Sequence, residues 1–495
     1  MRQAVESERD LELLIRSRIP LIVVETHEER RLLDLARRLA VALRLPVFKW
    51  TVTEGLRRID IDSAPQRFNA QAADVLAHIK GAKLAGLYVL LDIHPYLDDP
   101  AHVRLLKDIA LQYDDAPATL LLVGHEVDLP AELKRFSARL RMSLPDEAEI
   151  RRIVNEVAAD WRRGNGGAAA KADPAALDRL VTNLAGLARD DVRRLARGSI
   201  VDDGAITGSD IPAVMKSKHA LLARGGVLGF ELDTARFSEV GGLKRLKAWL
   251  EQRRGPFLGH APPGLDRPRG VLLLGVQGCG KSLAAKATAG VLGVPLLHLD
   301  FGALYNKFYG ESERNLRESL ATAEIMAPCV LWMDEIEKGI AGGDNDGGTS
   351  RRMLGTLLTW MAERGKPVFL VATANDISGL PPELVRKGRF DEIFFVDLPD
   401  AAVRAEIAAI HLRKRGLDPQ RFDLARIAQA AEGFAGAEIE QAVVSALYAS
   451  HADGGEPDTD AVLSEITATR PLSVVMAERI DALRVWAAAR TVPAD

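Results

Sequence analysis

Cysteine is scarce in this chain: of its 495 residues, only Cys279 and Cys329 are cysteines. Two cysteines are too few for a disulfide framework, and their scarcity agrees with a reducing compartment. Cysteine and histidine also do not cluster with the spacing of a zinc site. The sequence therefore excludes a disulfide-stapled domain and a zinc-binding module.

Long apolar runs and a large excess of one charge are also missing. No apolar run approaches the roughly 18 residues that a membrane-spanning helix requires. The N-terminus, Met-Arg-Gln-Ala-Val-Glu-Ser-Glu-Arg-Asp, is too charged for a secretory signal. A formal net charge of −4 gives no electrostatic reason to expect nucleic acid. We therefore expect a cytoplasmic protein without a membrane segment or a nucleic-acid partner.

What the chain does contain is enough apolar residue for ordinary globular cores. Hydrophobic residues make up 47% and charged residues 27% of the sequence, which argues against disorder. The length is too great for one ordinary domain and predicts two or three.

The most informative segment is a glycine-rich loop, Gly275-Val276-Gln277-Gly278-Cys279-Gly280-Lys281-Ser282. It follows an apolar run at 271–274 and precedes a helix-compatible stretch that begins at Leu283. This is the strand, loop and helix of a phosphate-binding loop, in which backbone N–H groups surround phosphates, Lys281 supplies a cation and Ser282 offers a hydroxyl to Mg²⁺. We therefore predict binding of ATP and Mg²⁺. The alternative is a glycine-rich turn that matches by chance.

Short apolar segments alternate with amphipathic ones through the second half of the chain. Strands are predicted at 270–274, 295–299, 329–333, 368–372 and 393–397, in a parallel sheet covered by helices. Asp334 and Glu335 follow the third of these strands, where carboxylates point into the ligand crevice. Asp334 can hold Mg²⁺, and Glu335 can accept a proton from the attacking water.

Two further motifs carry a family resemblance. Thr373-Ala374-Asn375 follows the fourth strand, and Pro381-Pro382-Glu383-Leu384-Val385-Arg386-Lys387-Gly388-Arg389-Phe390-Asp391 comes next. From about Phe237 onward the chain resembles the AAA ATPases that carry the second region of homology. The resemblance implies that Asn375 is sensor 1, which orients the lytic water with Glu335. It also implies that Arg386 and Arg389 are paired arginine fingers for a neighbouring subunit; otherwise they are solvated surface arginines.

The same resemblance implies contacts with the nucleoside. Val240 and Gly241 match the adenine-side loop, and Ile407 and His411, four residues apart on one helix face, match the lid helix that lines adenine and ribose. In the segment Gly433-Phe434-Ala435-Gly436-Ala437-Glu438-Ile439, Gly436 and Ala437 match the second lid contact. A lone histidine on a helix is more often structural, and that alternative stays open for His411.

A third motif, Tyr305-Asn306-Lys307-Phe308-Tyr309-Gly310-Glu311-Ser312-Glu313, resembles the first pore loop of protein-threading AAA machines. An aromatic side chain at the axis of a ring can grip a polypeptide by area and shape. Phe308 is the expected gripping residue, with Lys307 and Tyr309 beside it. The alternative is that the aromatics pack under the loop. The glycine-rich stretch 341–348 could form a second axial loop.

Residues 1–225 repeat the pattern of the second half without its phosphate loop. A strand at 21–24 is followed by Glu25-Thr26-His27-Glu28-Glu29, whose acid groups would repel phosphate. A strand at 87–91 ends in Asp92-Ile93, so a catalytic glutamate is missing, and Arg189-Asp190 replaces the small nucleotide-facing pair. We interpret this half as a degenerate AAA-like α/β domain that cannot bind ATP well. An unrelated α/β adaptor is the alternative.

The whole layout resembles the AAA proteins of the hypothetical chloroplast reading frame forty-six group of plastids, cyanobacteria and other bacteria. The expected organisation is a degenerate domain at 1–225, a linker at 226–236, an AAA large subdomain at 237–400 and a helical lid at 401–495. Cys279, in a loop without the usual double proline, is read as a small loop residue rather than a redox switch.

The leading hypothesis is a homo-hexameric, Mg²⁺-dependent ATPase that remodels or unfolds an unknown protein partner. A nucleotide-gated regulatory scaffold is the runner-up. A nucleic-acid motor comes third, because no basic stripe or base-stacking platform is visible.

Overall fold

The computed structural model describes residues 2–61, 63–165, 171–201, 204–222, 227–231, 239–304, 311–340, 348–377, 379–386 and 388–495. The chain divides into two compact units, residues 1–210 and 211–495. Among the described residues, no helix is long and apolar enough to cross a membrane.

The first unit contains α1 (Arg2–Arg16), β1 (Leu21–Glu25), α2 (Glu29–Leu43), β2 (Val47–Thr51), β3 (Gly55–Arg58), α3 (Ala72–Ala82), β4 (Gly86–Leu91), α4 (Pro100–Leu111), β5 (Ala118–Gly124), α5 (Ala131–Lys134), β6 (Ser137–Leu140), α6 (Glu147–Gly164), β7 (Lys171–Ala172), α7 (Pro174–Leu184), α8 (Arg189–Val201) and β8 (Ala205–Ile206). The strands β1 to β6 form one sheet of order β3-β2-β4-β5-β1-β6 among the described residues. All neighbours pair in parallel except β2 and β3.

The central strands of this sheet are buried along their whole length. Every residue of β4 and of β5 is buried, which suits parallel strands covered by helices on both faces. One apolar cluster lies on each face, the first around Trp50 and Leu76 and the second around Leu32 and Leu39. The two strands predicted in this half, at 21–24 and 87–91, are therefore confirmed.

The second unit contains α9 (Asp210–Leu222), β9 (Leu228–Glu231), α10 (Lys244–Phe257), β10 (Gly270–Gly275), α11 (Lys281–Leu292), β11 (Leu296–Leu299), α12 (Phe301–Leu304), α13 (Glu311–Ile325), β12 (Cys329–Met333), α14 (Ile336–Ile340), α15 (Thr349–Glu363), β13 (Val368–Ala374), α16 (Pro382–Val385), β14 (Glu392–Val396), α17 (Ala401–Lys414), α18 (Leu424–Ala430), α19 (Gly436–Ala452), α20 (Thr459–Ala468), α21 (Leu472–Val475), α22 (Ala477–Ala488) and β15 (Val492–Pro493). All five strands predicted in this half are present, with boundary shifts of at most two residues.

The second sheet has the order β15-β14-β10-β13-β12-β11-β9 within the described part of the chain. It differs from the purely parallel sheet that the sequence predicts, because β9 runs antiparallel to β11. This strand lies inside the expected linker, so part of that segment is an edge of the sheet. The strand β15 pairs with β14 at the other edge, although the sequence assigned it to the lid.

The two sheets share one strand order. In the first, β2-β4-β5-β1-β6 are neighbours, and in the second, β11-β12-β13-β10-β14 are neighbours. The earliest of the five strands in the chain takes the same place in both sheets. It is β1, between β5 and β6, in the first sheet and β10, between β13 and β14, in the second. The helices that follow begin alike, since Asp146 caps α6 and Asp400 caps α17 by accepting the backbone N–H three residues on, each at 2.8 Å. The degenerate-copy interpretation of the first half is consistent with this shared topology.

The lid of the second unit is a small helical layer with its own core. Apolar residues of α17 to α20 form one cluster that includes Leu412, Ile427, Ile439 and Ile466. After α20 the chain passes through α21 and α22 and returns to the large subdomain as β15. The carbonyl oxygen of Ala494 then accepts the backbone N–H groups of Arg245 and Leu246 at 3.0 and 3.1 Å.

Candidate functional site

The phosphate loop joins β10 to α11 at the centre of the second sheet. Gly278 and Gly280 have φ values of 78° and 87°, left-handed conformations that favour glycine, so the loop can turn tightly before α11 begins at Lys281. Lys281 is 5% exposed, and its ammonium group donates to the carbonyl oxygens of Gly275 and Val276 at 2.9 and 2.8 Å. Burial lowers the pKa of Lys281 to about 8. The cation therefore lies at the mouth of a helix N-terminus, where phosphate is favoured.

Ser282 and Asp334 meet beside this lysine. The Ser282 hydroxyl lies 3.2 and 3.3 Å from the two carboxylate oxygens of Asp334. Thr373, at the end of β13, donates its hydroxyl to Asp334 as well. A hydroxyl and a carboxylate are the hard oxygen ligands that Mg²⁺ takes from proteins, together with water and substrate phosphates. The two residues predicted as metal ligands thus fit that ion, and Thr373 positions one of them.

Glu335 lies next to Asp334 in an unusual backbone conformation, with a φ of 45°. Its backbone N–H donates to the Thr373 hydroxyl at 3.0 Å, and the Asn375 amide donates to its carboxylate at 2.7 Å. Lys338 on α14 also forms an ion pair with this carboxylate. The structure therefore brings Glu335 and Asn375 into direct contact.

Behind Asn375 lies a third carboxylate, Glu337, which sequence reasoning did not single out. It is 6% exposed and accepts the backbone N–H of Asn375 at 2.8 Å. Burial raises the pKa of Glu337. Glu337 fixes the backbone that carries Asn375, so the two elements that follow β12 and β13 are held together at the crevice.

The lid closes the other side of the crevice. Ala437, at the start of α19, donates its backbone N–H to the Gly278 carbonyl at 3.0 Å. A Cβ atom at Gly241 would lie 2.7 Å from Ile407 Cγ1, so only glycine allows the adenine-side loop to approach α17 this closely. His411 on α17 lies 3.3 Å from the Glu440 carboxylate, and burial lowers the pKa of His411.

One cavity of about 380 Å³ collects these residues. The predicted residues that line it are Val240, Gly241, Gln277, Gly278, Cys279, Gly280, Lys281, Ser282, Leu283, Asp334, Glu335, Asn375, Ile407, His411, Gly436 and Ala437. Glu239, Ile410 and Glu440 line it too and were missed. Gly275 and Val276 lie below it and hold Lys281. Burial raises the pKa of Cys279 to about 12, so its thiol stays protonated and resembles a small loop residue more than a redox switch.

The two predicted arginine fingers lie outside this cavity and differ from each other. Arg386, after α16, is exposed. Arg389 is half-buried, and its guanidinium donates to the Leu358 carbonyl on α15. Neither side chain reaches the chain's own crevice. Lys307, Phe308 and Tyr309 of the predicted pore loop, like most of the stretch 341–348, fall outside the described residues.

The C-terminal segment adds contacts that the sequence did not predict. Glu438 on α19 accepts the backbone N–H of Leu472 at 2.8 Å. Arg479 on α22 pairs with Asp376, the neighbour of Asn375, at 2.7 Å. The Arg484 guanidinium donates to the carboxylate of Asp397, the residue after β14, at 2.9 to 3.0 Å. The segment thus links the lid to the strand ends that carry the site.

The corresponding edge of the first sheet carries different groups. Counting along paired strands from Gly86↔Ala118 and from Cys329↔Val368 places Asp92 opposite Glu335, and both have positive φ, 53° and 45°. In the sequence, Asp92-Ile93 is a strand end without a catalytic glutamate. By this count Asp92 takes the place of that glutamate, and Leu91 takes the place of Asp334. By the same count, His125 stands where Asn375 stands.

The phosphate loop itself is shortened and filled in the first unit. His27 and Glu28 stand where residues 276–280 stand, and Glu28 is 6% exposed. Its carboxylate accepts the backbone N–H of Arg189, at the start of α8, at 2.7 Å and the Arg31 guanidinium at 2.7 Å. The sequence predicted that acid groups here repel phosphate. The structure adds that one of these acids, Glu28, connects the end of β1 to the start of α8 through its bond from the Arg189 N–H.

Comparison with known proteins gives matches along the whole chain. Residues 271–398 match the model of the ATPase family associated with various cellular activities (AAA). Residues 7–142 and 148–225 match the N-terminal and second domains of SpoVK-like AAA ATPases. The chain is 33% identical to the AAA domain-containing protein ycf46 of Trieres chinensis over 484 residues, covering 97% of this chain and 96% of that protein.

Two further relatives are similar over different shares of the chain. The ycf46 protein of Guillardia theta is also 33% identical, over 97% of this chain and 95% of its own length. The proteasome-activating nucleotidase of Aeropyrum pernix is 36% identical over 54% of this chain and 67% of its own length.

Proposed function

The chain belongs to the AAA ATPase family, among the ycf46 proteins, and from this membership and the crevice geometry we propose that it is a Mg²⁺-dependent ATP hydrolase. The observation that carries the proposal is the convergence in one cavity of Lys281, the Ser282–Asp334 pair and the Glu335–Asn375 pair. These groups supply a phosphate cation, a metal position and a water-activating base.

Binding begins with the phosphates. The N–H groups of the glycine loop and the start of α11 receive them, and the Lys281 ammonium exchanges its two carbonyl partners for phosphate oxygens. Ser282 and Asp334 would hold Mg²⁺, which would neutralise phosphate charge. The base lies in the part of the cavity that Val240, Gly241 and Ile407 line.

Hydrolysis uses the carboxylate that Asn375 holds. The water oxygen attacks the γ-phosphorus, its proton passes to the Glu335 carboxylate, and the bond to the β–γ bridging oxygen breaks to release ADP. The 2.7 Å bond from the Asn375 amide orients the carboxylate for this role. Glu337 supports the step at one remove by fixing the Asn375 backbone at 2.8 Å.

We also propose that the protein forms a homo-hexameric ring that remodels a protein partner. The exposed position of Arg386, away from the chain's own crevice, suits an arginine that reaches the γ-phosphate of a neighbouring subunit. The similarity to a proteasome-activating nucleotidase over about half of the chain is in line with a ring.

The test of hydrolysis separates binding from chemistry. In Glu335→Gln, the affinity for ATP should stay within about threefold of wild type, while turnover falls by roughly 10² to 10⁴ because only the general base is lost. Affinity is measured by titration with a fluorescent ATP analogue and turnover by phosphate release. Equal losses of affinity and turnover would contradict the assignment of Glu335.

The pore-loop resemblance separates a threading machine from the alternative, a nucleotide-gated scaffold. A partner is first recovered on the Glu335→Gln variant in ATP and identified by mass spectrometry. In Phe308→Ala, a threading machine should lose the stimulation of ATP turnover by that partner while the ring stays intact by light scattering. Unchanged stimulation would leave the scaffold as the better account.

A further inference from the structure

Glu440 lines the cavity at the nucleoside end, although no motif of the sequence pointed to it. It lies on α19, one helical turn after Gly436 and Ala437. Ala437 contacts the phosphate loop through its 3.0 Å bond to the Gly278 carbonyl. One turn advances about 5.4 Å along a helix. Glu440 is therefore about a ribose's length away from the phosphate cradle.

The carboxylate of Glu440 is held on one side only. Its Oε1 accepts the Arg415 guanidinium at 2.9 Å and lies 3.3 Å from His411 Nδ1. Within the part of the chain that the structure describes, Oε2 has no hydrogen-bond partner. Burial raises the pKa of Glu440, but Arg415 and His411 outweigh burial and lower it. The group is thus an ionised acceptor with free capacity at the cavity wall.

Apart from the exposed Glu239, the rest of the nucleoside end is an apolar wall. Val240, Ile407 and Ile410 line this wall, and Gly241 packs directly against Ile407. A flat base can lie against it. A carboxylate suits the part of the ligand that carries hydroxyl donors.

We propose that Glu440 is a specificity-determining residue that accepts hydrogen bonds from the ribose hydroxyls of the bound nucleotide. The inference rests on the proposed ATP binding and deepens it by naming the sugar as a point of selection. Glu440 then favours ribonucleotides over deoxyribonucleotides, because a missing hydroxyl leaves the carboxylate without its donor. It also repels a ribose that carries an additional phosphate.

The experiment measures the affinity of the full chain for ATP, 2′-deoxy-ATP, 3′-deoxy-ATP and ITP in the presence of Mg²⁺. Wild type should bind ATP about tenfold more tightly than the weaker of the two deoxy nucleotides, and ITP like ATP. Glu440→Ala should bring ATP and both deoxy nucleotides within about twofold of each other while the affinity for the deoxy nucleotides is kept. Glu440→Met, which keeps the side-chain length without an acceptor, repeats the test if the alanine variant folds poorly.

Gln441→Ala is the matched control, since Gln441 is the exposed neighbour on the same helix and does not line the cavity. It should keep the tenfold discrimination. Equal wild-type affinity for ATP and both deoxy nucleotides would overturn the inference, as would unchanged discrimination in Glu440→Met. A preference for ATP over ITP that is lost in Glu440→Met would assign Glu440 to the adenine amino group and overturn the inference too.

The same measurements keep the two claims apart. If wild type hydrolyses ATP and both deoxy nucleotides with the same kcat/KM, the ribose role fails and the ATPase proposal stands. If wild type binds ATP with discrimination but releases no phosphate, the ATPase proposal fails and the ribose role stands.

Discussion

The two halves of this chain share one strand order but differ in the contact between the sheet edge and the helical layer. In the second unit, the lid helix α19 contacts the phosphate loop through backbone atoms, at 3.0 Å between Ala437 N and the Gly278 carbonyl, and leaves a cavity between them. In the first unit, the corresponding helix α8 contacts a side chain, the Glu28 carboxylate, at 2.7 Å. The sheet therefore does not determine the chemistry at its edge. In the first unit, a shorter loop and one buried acid provide an internal contact where the second unit leaves a cavity.

Charge reinforces this difference. The cavity beside Glu28 is about 430 Å³, close in size to the nucleotide cavity, but arginines and acids alternate around it. Arg189 pairs with Glu149 at 2.5 Å, and Arg31 pairs with Glu28 at 2.7 Å. These cations are already neutralised by neighbours, whereas in the second unit the Lys281 ammonium donates to the neutral carbonyl groups of Gly275 and Val276. Available positive charge, more than cavity volume, distinguishes the two sites.

The largest effect should come from removing the lysine. In the full-length Lys281→Ala variant, ATP affinity should fall at least about a hundredfold, since several charge-assisted bonds to phosphate are lost at once. No residual binding from the first half should remain. Adding Glu29→Lys, which places a lysine at the first residue of α2, should not restore binding because the glycine loop is absent and Glu28 stays. Calorimetry that finds micromolar ATP binding in either variant would break the comparison.

A second large effect concerns the arginine segment, which is shortened in the first half. Arg386→Ala should leave ATP affinity near wild type and lower turnover by roughly 10³, the usual scale for an arginine finger. Arg389→Ala should also lower turnover, and it should reduce stability as well, because Arg389 donates to the Leu358 carbonyl. Wild-type turnover per subunit should rise with protein concentration. A flat profile from dilute to concentrated protein would exclude action across subunits.

A smaller effect should appear when the internal contact of the first half is broken. Glu28→Ala removes the acceptor of the Arg189 N–H and leaves Arg31 without its buried partner, at a cost of about 3 kcal/mol. Hydrogen exchange of the Arg189 amide should accelerate, while ATP affinity in the second half stays unchanged. Glu29→Ala, at the exposed neighbour, should change neither quantity. Unaltered exchange in Glu28→Ala would show that the helical layer is held by other contacts.

The smallest effect tests where the first half ends. Lys218 on α9 is buried and donates to the Ile325 carbonyl at 2.6 Å, and burial lowers the pKa of Lys218 to about 7. The unfolded lysine titrates near 10.4, so between about pH 7 and 10 the unfolded state holds more protons and stability rises with pH. From pH 6 to pH 9, wild type should gain stability relative to Lys218→Met.

The control for this pH effect is Lys216→Met, at an exposed position of the same helix, which should follow wild type. Thermal unfolding at pH 6 and pH 9 measures the difference. If ATP and pH shift the same unfolding transition, α9 unfolds together with the second half. That result would agree with a domain boundary after residue 210 and not after residue 225. If the stability of wild type and that of Lys218→Met change equally with pH, the pH dependence does not come from Lys218.

Much of the fold could be predicted because its central strands are buried on both faces. Such strands appear as continuous apolar runs, as at β10 and β12, and glycine or acidic residues mark their ends. The edge strands β9 and β15 escaped prediction because they are short and depend on partners distant in sequence. The antiparallel pairing of Phe230 with Leu297 has no local signal.

The candidate site shows the same limit. Lys281, Ser282, Asp334 and Asn375 were found because their chemistry is tied to a fixed position in a motif. Glu337 and Glu440 were missed because an acid on a helix is usually solvated, and only the packed structure shows which neighbour it meets. The counterpart of Asp92 could not be assigned from the sequence, since strand ends alone do not set register and the pairing of β4 with β5 does.

The return of the chain from the lid to the sheet has a mechanical consequence. The lid leaves the large subdomain at α17 and rejoins it through α22 and β15, where Phe395 and Ala494 are joined at 2.9 Å. A body fixed to another at two separated places keeps one easy motion, rotation about the line that joins them. We therefore expect any nucleotide-driven movement of the lid to be a rotation about the line that joins these two connections.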